Sequence, residues 1–177
     1  KGIASLLREY DENKRVILER YFGVAGEPVK STDGYHEIRR TYTAEGWTTS
    51  EAWFDENRQP MALKNTYARI ERAFDGQGNA VAIRYYDGEG NPIACKDGYD
   101  ELRQDFDDQN RIIRYSYFLG GAPAANPQGA AVLERDYGEN GQVVAERYFG
   151  TDGAPVLNNK GIASLLREYD ENKRVIL

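Results

Sequence analysis

KGIASLLREYDENKRVIL fills Lys1–Leu18 and recurs without change at Lys160–Leu177. An 18-residue identity at an offset of 159 residues is not chance, so the chain is a tandem array and a shorter period lies inside the offset. The aromatic residue of the run EYDE, Tyr10, has counterparts at Tyr42, Phe74, Phe106, Tyr137 and Tyr169. The steps between them are 32, 32, 32, 31 and 32 residues, which together make up the offset. The repeats are therefore 1–32, 33–64, 65–96, 97–127, 128–159 and the partial 160–177, and positions below are counted from the start of each repeat.

Each repeat opens on a stretch of period 2. Leu6, Arg8 and Tyr10 alternate with Leu7 and Glu9, and Ile38, Arg40, Tyr42 and Ile70, Arg72, Phe74 repeat the scheme. Alternation with branched and aromatic residues is the pattern of a half-buried strand. A turn follows (DENK at 11–14, DGQGN at 75–79, DDQN at 107–110, GENGQ at 138–142), and then a second strand (VILERYF at 16–22, VAIRYY at 81–86, IIRYSYF at 112–118, VVAERYF at 143–149). Asp, Asn and Gly supply the side-chain capping and positive φ that tight hairpins need. A second turn ends in Pro28, Pro60, Pro92, Pro123 or Pro155, where proline ends ladder pairing or marks an edge. The apolar step after it (Val29, Met61, Ile93, Val156) is expected to form a brief third strand or a core plug. No segment longer than a turn has a 3.6-residue period, so no helix is expected.

The fold class that follows is all-β: an elongated, solenoid-like array of about five and a half stacked 32-residue β-hairpin repeats, 1–177 forming one array. A lone hairpin is marginal in water, and covering each repeat with the next is expected to supply the missing contacts. The aromatics fall into columns at positions 3, 10, 21 and 22, with Trp47 and Tyr115 outside them. The position-8 column (Arg8, Arg40, Arg72, Gln104, Arg135, Arg167) shares a strand face with position 10, so its guanidiniums are expected to stack on the position-10 rings.

Composition excludes several functions. A net charge of −6 argues against nucleic acid and anionic membranes as partners. One cysteine, Cys95, excludes an intramolecular disulfide framework, and no run approaches the roughly 18 apolar residues of a membrane-inserted helix. The chain starts and stops inside the pattern, as expected of a piece of a longer array whose export signals lie elsewhere.

No catalytic or metal-binding set emerges. His36 and Cys95 each belong to one repeat only, without a positioned partner. Asp87–Asn91 and Asp107–Asn110 gather oxygen ligands that would suit calcium, but they match no calcium loop and read as turns. Glu134 and Asp136 read as charges on a strand's solvent face. No cofactor is expected. The aromatics are the functional hint: Trp47, Trp53, Tyr85 and Tyr117 are the candidate ligand-binding residues, since rigid rings stack on sugars. Trp47 stands out because its position is otherwise Arg15, Asn79, Arg111, Gln142 and Arg174, a column expected to face solvent.

Aromatic-Asp, a polar turn and a branched pair, as in REYDENKRVI, resembles the YD repeats of bacterial rearrangement-hotspot toxins and teneurins. Tyr10–Asp11, Phe74–Asp75, Phe106–Asp107 and Tyr169–Asp170 match it, whereas Tyr42–Thr43 and Tyr137–Gly138 depart from it. The aromatic hairpins with DGxP-type turns are also similar to bacterial cell-wall and glucan-binding repeats, although the Gly-Trp pair occurs once, at Gly46–Trp47. The repeat is longer than the usual unit of either family. The first resemblance implies a spiralling strand shell, and the second implies sugar contacts through aromatics. The expectation is a non-catalytic structural or adhesive module of a bacterial surface or secreted protein, with cell-wall or host glycans and neighbouring repeats as partners. The alternative is a shell segment of a toxin-type protein that encloses or presents a separate effector domain.

Overall fold

The computed structural model describes residues 2–63 and 66–176. The chain divides into two compact units, Lys1–Lys96 and Asp97–Leu177, at a boundary that falls between the third and fourth repeats. Every regular element among the described residues is a β-strand. In the first unit β1 (Ser5–Tyr10), β2 (Val16–Phe22), β3 (Glu37–Tyr42), β4 (Thr48–Phe54), β5 (Arg69–Phe74) and β6 (Ala80–Tyr86) form an antiparallel meander in chain order. In the second, β7 (Glu101–Phe106), β8 (Ile112–Leu119), β10 (Val132–Tyr137), β11 (Val143–Phe149) and β12 (Ser164–Leu166) do the same, with the two-residue β9 (Ala122–Pro123) on β8.

The expected hairpins are therefore present, but consecutive hairpins within a unit meet along their strand edges. β2 pairs with β3 from Leu18↔Arg39 to Arg20↔Glu37, and β8 pairs with β10 from Ser116↔Val132 to Arg114↔Glu134. Backbone groups left open on one hairpin are thus satisfied by the next, a sheet-edge answer to marginal stability where the sequence suggested one face covering another.

One turn design serves three places in a repeat. Asp11 N–H donates to Arg15 O at 2.9 Å and Lys14 N–H to Asp11 O at 3.0 Å; Gly23–Glu27 and Ser31–Tyr35 follow the same scheme. The fourth residue of the first turn has positive φ in each repeat: Lys14, Gly46, Gly78, Asn110, Gly141 and Lys173. This three-residue loop with a left-handed fourth residue shifts the register by one, visible where Tyr10 pairs Val16 instead of continuing the ladder. Asp11 Oδ1 accepts the N–H groups of Asn13 and Arg15, and Asp75, Asp87 and Asp107 make the corresponding pair of bonds. The acidic turns are built this way, and no cluster of metal-ligating side chains occurs among the described residues.

After the second turn the chain touches the sheet once and leaves. Phe22↔Pro28, Phe54↔Pro60, Tyr86↔Pro92 and Phe149↔Pro155 are single bridges, and the next residue donates back to the second strand, as in Val29 N–H to Tyr21 O at 3.1 Å. The plug after proline is real: Val29 is buried, and Met61 and Val156 pack on the cores. The 31-residue repeat closes this loop differently. Gly120 and Gly121, both at positive φ, turn β8 directly into β9, and the Asp100 carboxylate accepts the Gly120 N–H at 2.7 Å. Two consecutive left-handed residues are what a two-residue hairpin requires, so the deletion falls where glycine can absorb it.

Strand alternation sorts side chains into rows. Positions 6 and 21 face each other as Ile38↔Trp53, Ile70↔Tyr85 and Leu133↔Tyr148, and these are the core. In the first unit Tyr35, Ile38, Trp53 and Ile70 form its centre. In the second Ala130, Leu133 and Tyr148 do. Each fully buried large side chain of this kind contributes roughly 1.5–3 kcal/mol.

Candidate functional site

Next to the apolar row, positions 8 and 19 face each other, as an Arg–Glu pair in the first, second and fifth repeats (Arg8↔Glu19, Arg40↔Glu51, Arg135↔Glu146). Glu19 accepts from Arg8 Nε at 3.1 Å and from Arg40 Nη1 at 2.7 Å; Glu51 accepts from Arg40 Nε at 3.4 Å and from Arg72 at 3.2 Å. The result is an alternating rail, Arg8–Glu19–Arg40–Glu51–Arg72, running across β1 to β5. In the second unit Arg135 and Arg167 flank Glu146 at 3.0 and 3.5 Å. Burial pushes the Glu19 carboxyl upward, but the hydrogen bonds from Arg40 and Arg8 outweigh it and hold it below the usual range. Burial likewise works against the Arg40 charge, and Glu19 and Glu51 overcome it.

This rail corrects the expected stacking of position 8 on position 10. The position-8 guanidiniums bind carboxylates because a desolvated charge gains more from a paired hydrogen bond than from a ring face. Arg135 does lie over a ring, 5.1 Å from the centre of Tyr115, but that ring sits at position 19, where the first, second and fifth repeats have Glu and the third has Ile83. Position 10 is covered from position 15 of the preceding repeat: Arg15 lies 5.1 Å over Tyr42 and Arg111 4.7 Å over Tyr137. The tyrosines reach on to the preceding second strand, Tyr42 OH donating to Val16 O at 2.7 Å and Tyr137 OH to Ile112 O at 2.9 Å.

That geometry places the four aromatic candidates. Trp47 occupies the position-15 slot, half-buried, its ring 5.5 Å from Phe74. A Cβ on Gly78 would come within 2.7 Å of it. Arg15 and Arg111 of this polar column are half-buried and clamp the next hairpin, and Trp47 is a clamp made of a ring. Trp53 is buried, 5.8 Å from Tyr67, and Tyr85 lies 4.7 Å from the same Tyr67. Tyr117 is buried against Tyr99 at 4.9 Å, and its hydroxyl is pushed up by burial. Trp53 and Tyr85 are brought together in the first unit's core around Tyr67, and Trp47 and Tyr117 are not part of that cluster. The rings the four meet, Tyr67, Phe74 and Tyr99, are position-3 or position-10 residues. The sequence placed these residues in columns, but not which columns pack on each other, because that depends on register.

His36 and Cys95 are core residues. His36 is 1% exposed, with Nδ1 3.3 Å from Val29 O and its ring edge-on to Phe22 at 5.5 Å. Its position is buried in other repeats as well, as Ala68, Asp100 and Ala131. The fully buried Glu37 carboxylate is held by Arg20 and by Arg39, the latter at 2.6 Å. Burial raises its proton affinity, and the two guanidiniums more than reverse that.

On the opposite strand face lies the feature the sequence did not single out. Ala52, Phe54, Pro60, Ala68 and Arg69 line a shallow groove of about 290 Å³ whose rim is Asp87–Gly90. The Arg39 guanidinium lies 4.2 Å over Phe54, and Arg69 lies 4.4 Å over Tyr86. Gly88 lets the rim close on Pro60, since a Cβ there would stand 3.2 Å from the proline Cβ. An aromatic wall, a cation and acceptors on a rim are the groups that bind a polar ring-shaped ligand. The only available sequence signal was the recurrence of an aromatic at position 22 beside the proline turn.

No helix among the described residues is long and apolar enough to cross a membrane. No protein-family model matches the chain and no curated protein matches it, so the likeness to YD and wall-binding repeats rests on the residue pattern alone.

Proposed function

We propose that this chain is a non-catalytic structural repeat module, a stretch of an elongated array of hairpin repeats in a bacterial surface or secreted protein. The observation that supports this reading is the use to which the polar and aromatic side chains are put. Rail, clamps and turns join one hairpin to its neighbour, as in Arg40 holding both Glu19 and Glu51. A site that performs chemistry needs groups positioned for a substrate, and here they are spent on cohesion. Small-angle scattering of the chain tests the reading: a distance distribution with a long tail is expected, and a compact, near-spherical profile would overturn it.

An adhesive role draws support from a separate feature, the groove at Phe54, Pro60 and Arg69. In this reading saccharides of cell walls or host surfaces rest on the Phe54–Pro60 wall with hydroxyls toward Arg69 and Glu89. Nuclear magnetic resonance titration with wall-derived and host-type oligosaccharides should shift the amide signals of 87–91, and Phe54→Ser should abolish the shift. Titrations that leave those signals in place remove adhesion and leave the spacer reading standing.

A further inference from the structure

On the basis of the adhesive reading, we infer that repeat positions 20, 4 and 5 decide which junction between hairpins admits a saccharide. Arg20, His36 and Glu37 are a built-in stopper in the earlier copy of the site, one repeat before the groove at Phe54.

The backbone at the two junctions is the same. Tyr21 N–H donates to His36 O at 3.1 Å and His36 N–H to Phe54 O at 2.9 Å. One repeat later, Trp53 N–H donates to Ala68 O at 3.0 Å and Ala68 N–H to Tyr86 O at 2.8 Å. Arg20 stands opposite Glu37 in the ladder, and Ala52 stands opposite Arg69 in the same way. Phe22↔Pro28 and Phe54↔Pro60 are corresponding bridges. At positions 20, 4 and 5 the first junction therefore has Arg, His and Glu where the second has Ala, Ala and Arg.

The first set fills its junction. His36 and Glu37 are the largest fully buried side chains among the described residues. The imidazole lies edge-on to Phe22, the counterpart of Phe54, and the Glu37 carboxylate is closed off by Arg20 and Arg39. A carboxylate so far from water keeps its charge because it is paired. The stopper is thus complete in itself: its ring covers the aromatic wall and its charges satisfy one another.

The second set empties the same place. Alanine replaces both the imidazole and the position-20 guanidinium, and the groove lies along those alanines, Phe54 and Pro60. Position 5 becomes Arg69, whose pair with Glu71 at 3.4 Å is more than a third exposed on both sides and therefore weak. A guanidinium has five N–H donors, so Arg69 has donors to spare for hydroxyls. The stopper shows what the seat takes, a ring against the wall with polar groups at its edge, and a saccharide ring has that form. In the second unit Ser116 stands opposite Val132, with Ala131 at position 4. Two positions there are small, but the third supplies no cation to orient a sugar.

The test is an amide-signal titration of the full chain with tetramers of glucose, N-acetylglucosamine and galacturonate. In the unmodified chain the signals of 87–91 should shift, and those of 55–59 and 150–154 should stay. Ala68→His puts a ring back in the seat while keeping Arg69, and it should abolish the shift at 87–91. Arg20→Ala, His36→Ala and Glu37→Arg together transplant the open set and should add a shift at 55–59. If that triple variant does not fold, the loss with Ala68→His decides alone. A shift at 87–91 that survives Ala68→His, or a shift at 55–59 or 150–154 in the unmodified chain, would overturn the rule and leave adhesion standing. An unmodified chain that responds to none of the three tetramers removes adhesion, and the rule with it.

Discussion

Where the second hairpin meets the first, Arg15 lies over Tyr42, bonds the Thr43 carbonyl at 2.5 Å, and Tyr42 OH holds Val16 O. Where the third meets the second, Trp47 lies against Phe74 and neither a guanidinium nor a ring hydroxyl is present at those two positions. Position 11, which supports the clamp, changes with it: Asp11 binds the Arg15 guanidinium at 2.6 Å, whereas the Thr43 hydroxyl accepts the Trp47 backbone N–H at 3.3 Å and carries no charge. The two junctions fill one space with two self-consistent sets, one polar and one apolar. What repeats is a slot of fixed size between neighbouring hairpins, and residue identity is free so long as the set matches.

Breaking the apolar set should have the largest effect. Trp47→Ala removes a half-buried ring and opens space over Phe74, at a cost of about 2–3 kcal/mol, below the range for a fully buried tryptophan. Urea unfolding followed by circular dichroism measures it. Trp47→Arg alone should cost nearly as much, because the guanidinium would meet Phe74 with Thr43 in place of a carboxylate. Adding Thr43→Asp and Phe74→Tyr should recover most of the loss, since neighbours in one set are coupled. Recovery no better than the sum of the single changes would break the idea of matched sets.

Arg15→Ala comes next, at about 1–2 kcal/mol, from a lost ring contact and a lost charge-assisted bond to the Thr43 carbonyl. The rail is expected to hold this junction partly closed, because Arg40 still bridges Glu19 and Glu51. The same denaturation assay should therefore rank Arg15→Ala below Trp47→Ala.

Period, strand order within a hairpin, turn residues and the proline bridge were all legible in the sequence, since each depends on residues close in the chain. The acidic turns read correctly because Asp followed by a left-handed Gly, Asn or Lys is a local device. The rows were not legible. Whether Arg8 meets Tyr10 or Glu19 depends on a cross-strand register that the bulge at Tyr10 shifts by one, and whether Trp47 is free depends on where the next hairpin's Phe74 falls. Position 15 looked solvent-facing because it is mostly polar, yet its arginines are polar in order to reach a carboxylate and a carbonyl. The groove at Phe54 joins residues from the second and third repeats, so no single repeat contains its signature.

Tyr42→Phe isolates the smallest piece of the polar set, one hydroxyl on one carbonyl. It should cost about 1 kcal/mol, the usual worth of such a bond. Tyr42→Phe combined with Arg15→Trp rebuilds the second junction's pair inside the first and should cost less than the two changes added. An equal or larger cost would mean that Asp11 cannot do without its arginine.

Acid separates the two junctions without any substitution at the clamp rings. Burial raises the Asp11 carboxyl, but the bonds from the Arg15 backbone and guanidinium prevail and hold it below its ordinary 3.8. A carboxyl lowered in the folded chain adds stability that is complete above its unfolded value and is lost as pH falls through that value toward the folded one. Asp11 thus supports the Arg15 clamp in full above 3.8 and releases it progressively below. Thr43, at the same position under Trp47, does not titrate. The cost of Arg15→Ala should therefore shrink when denaturation is repeated below 3.8, without vanishing, because the Tyr42 ring and the Thr43 carbonyl remain. The cost of Trp47→Ala should stay as it is, and if both shrink together the distinction between a charged and an apolar junction fails.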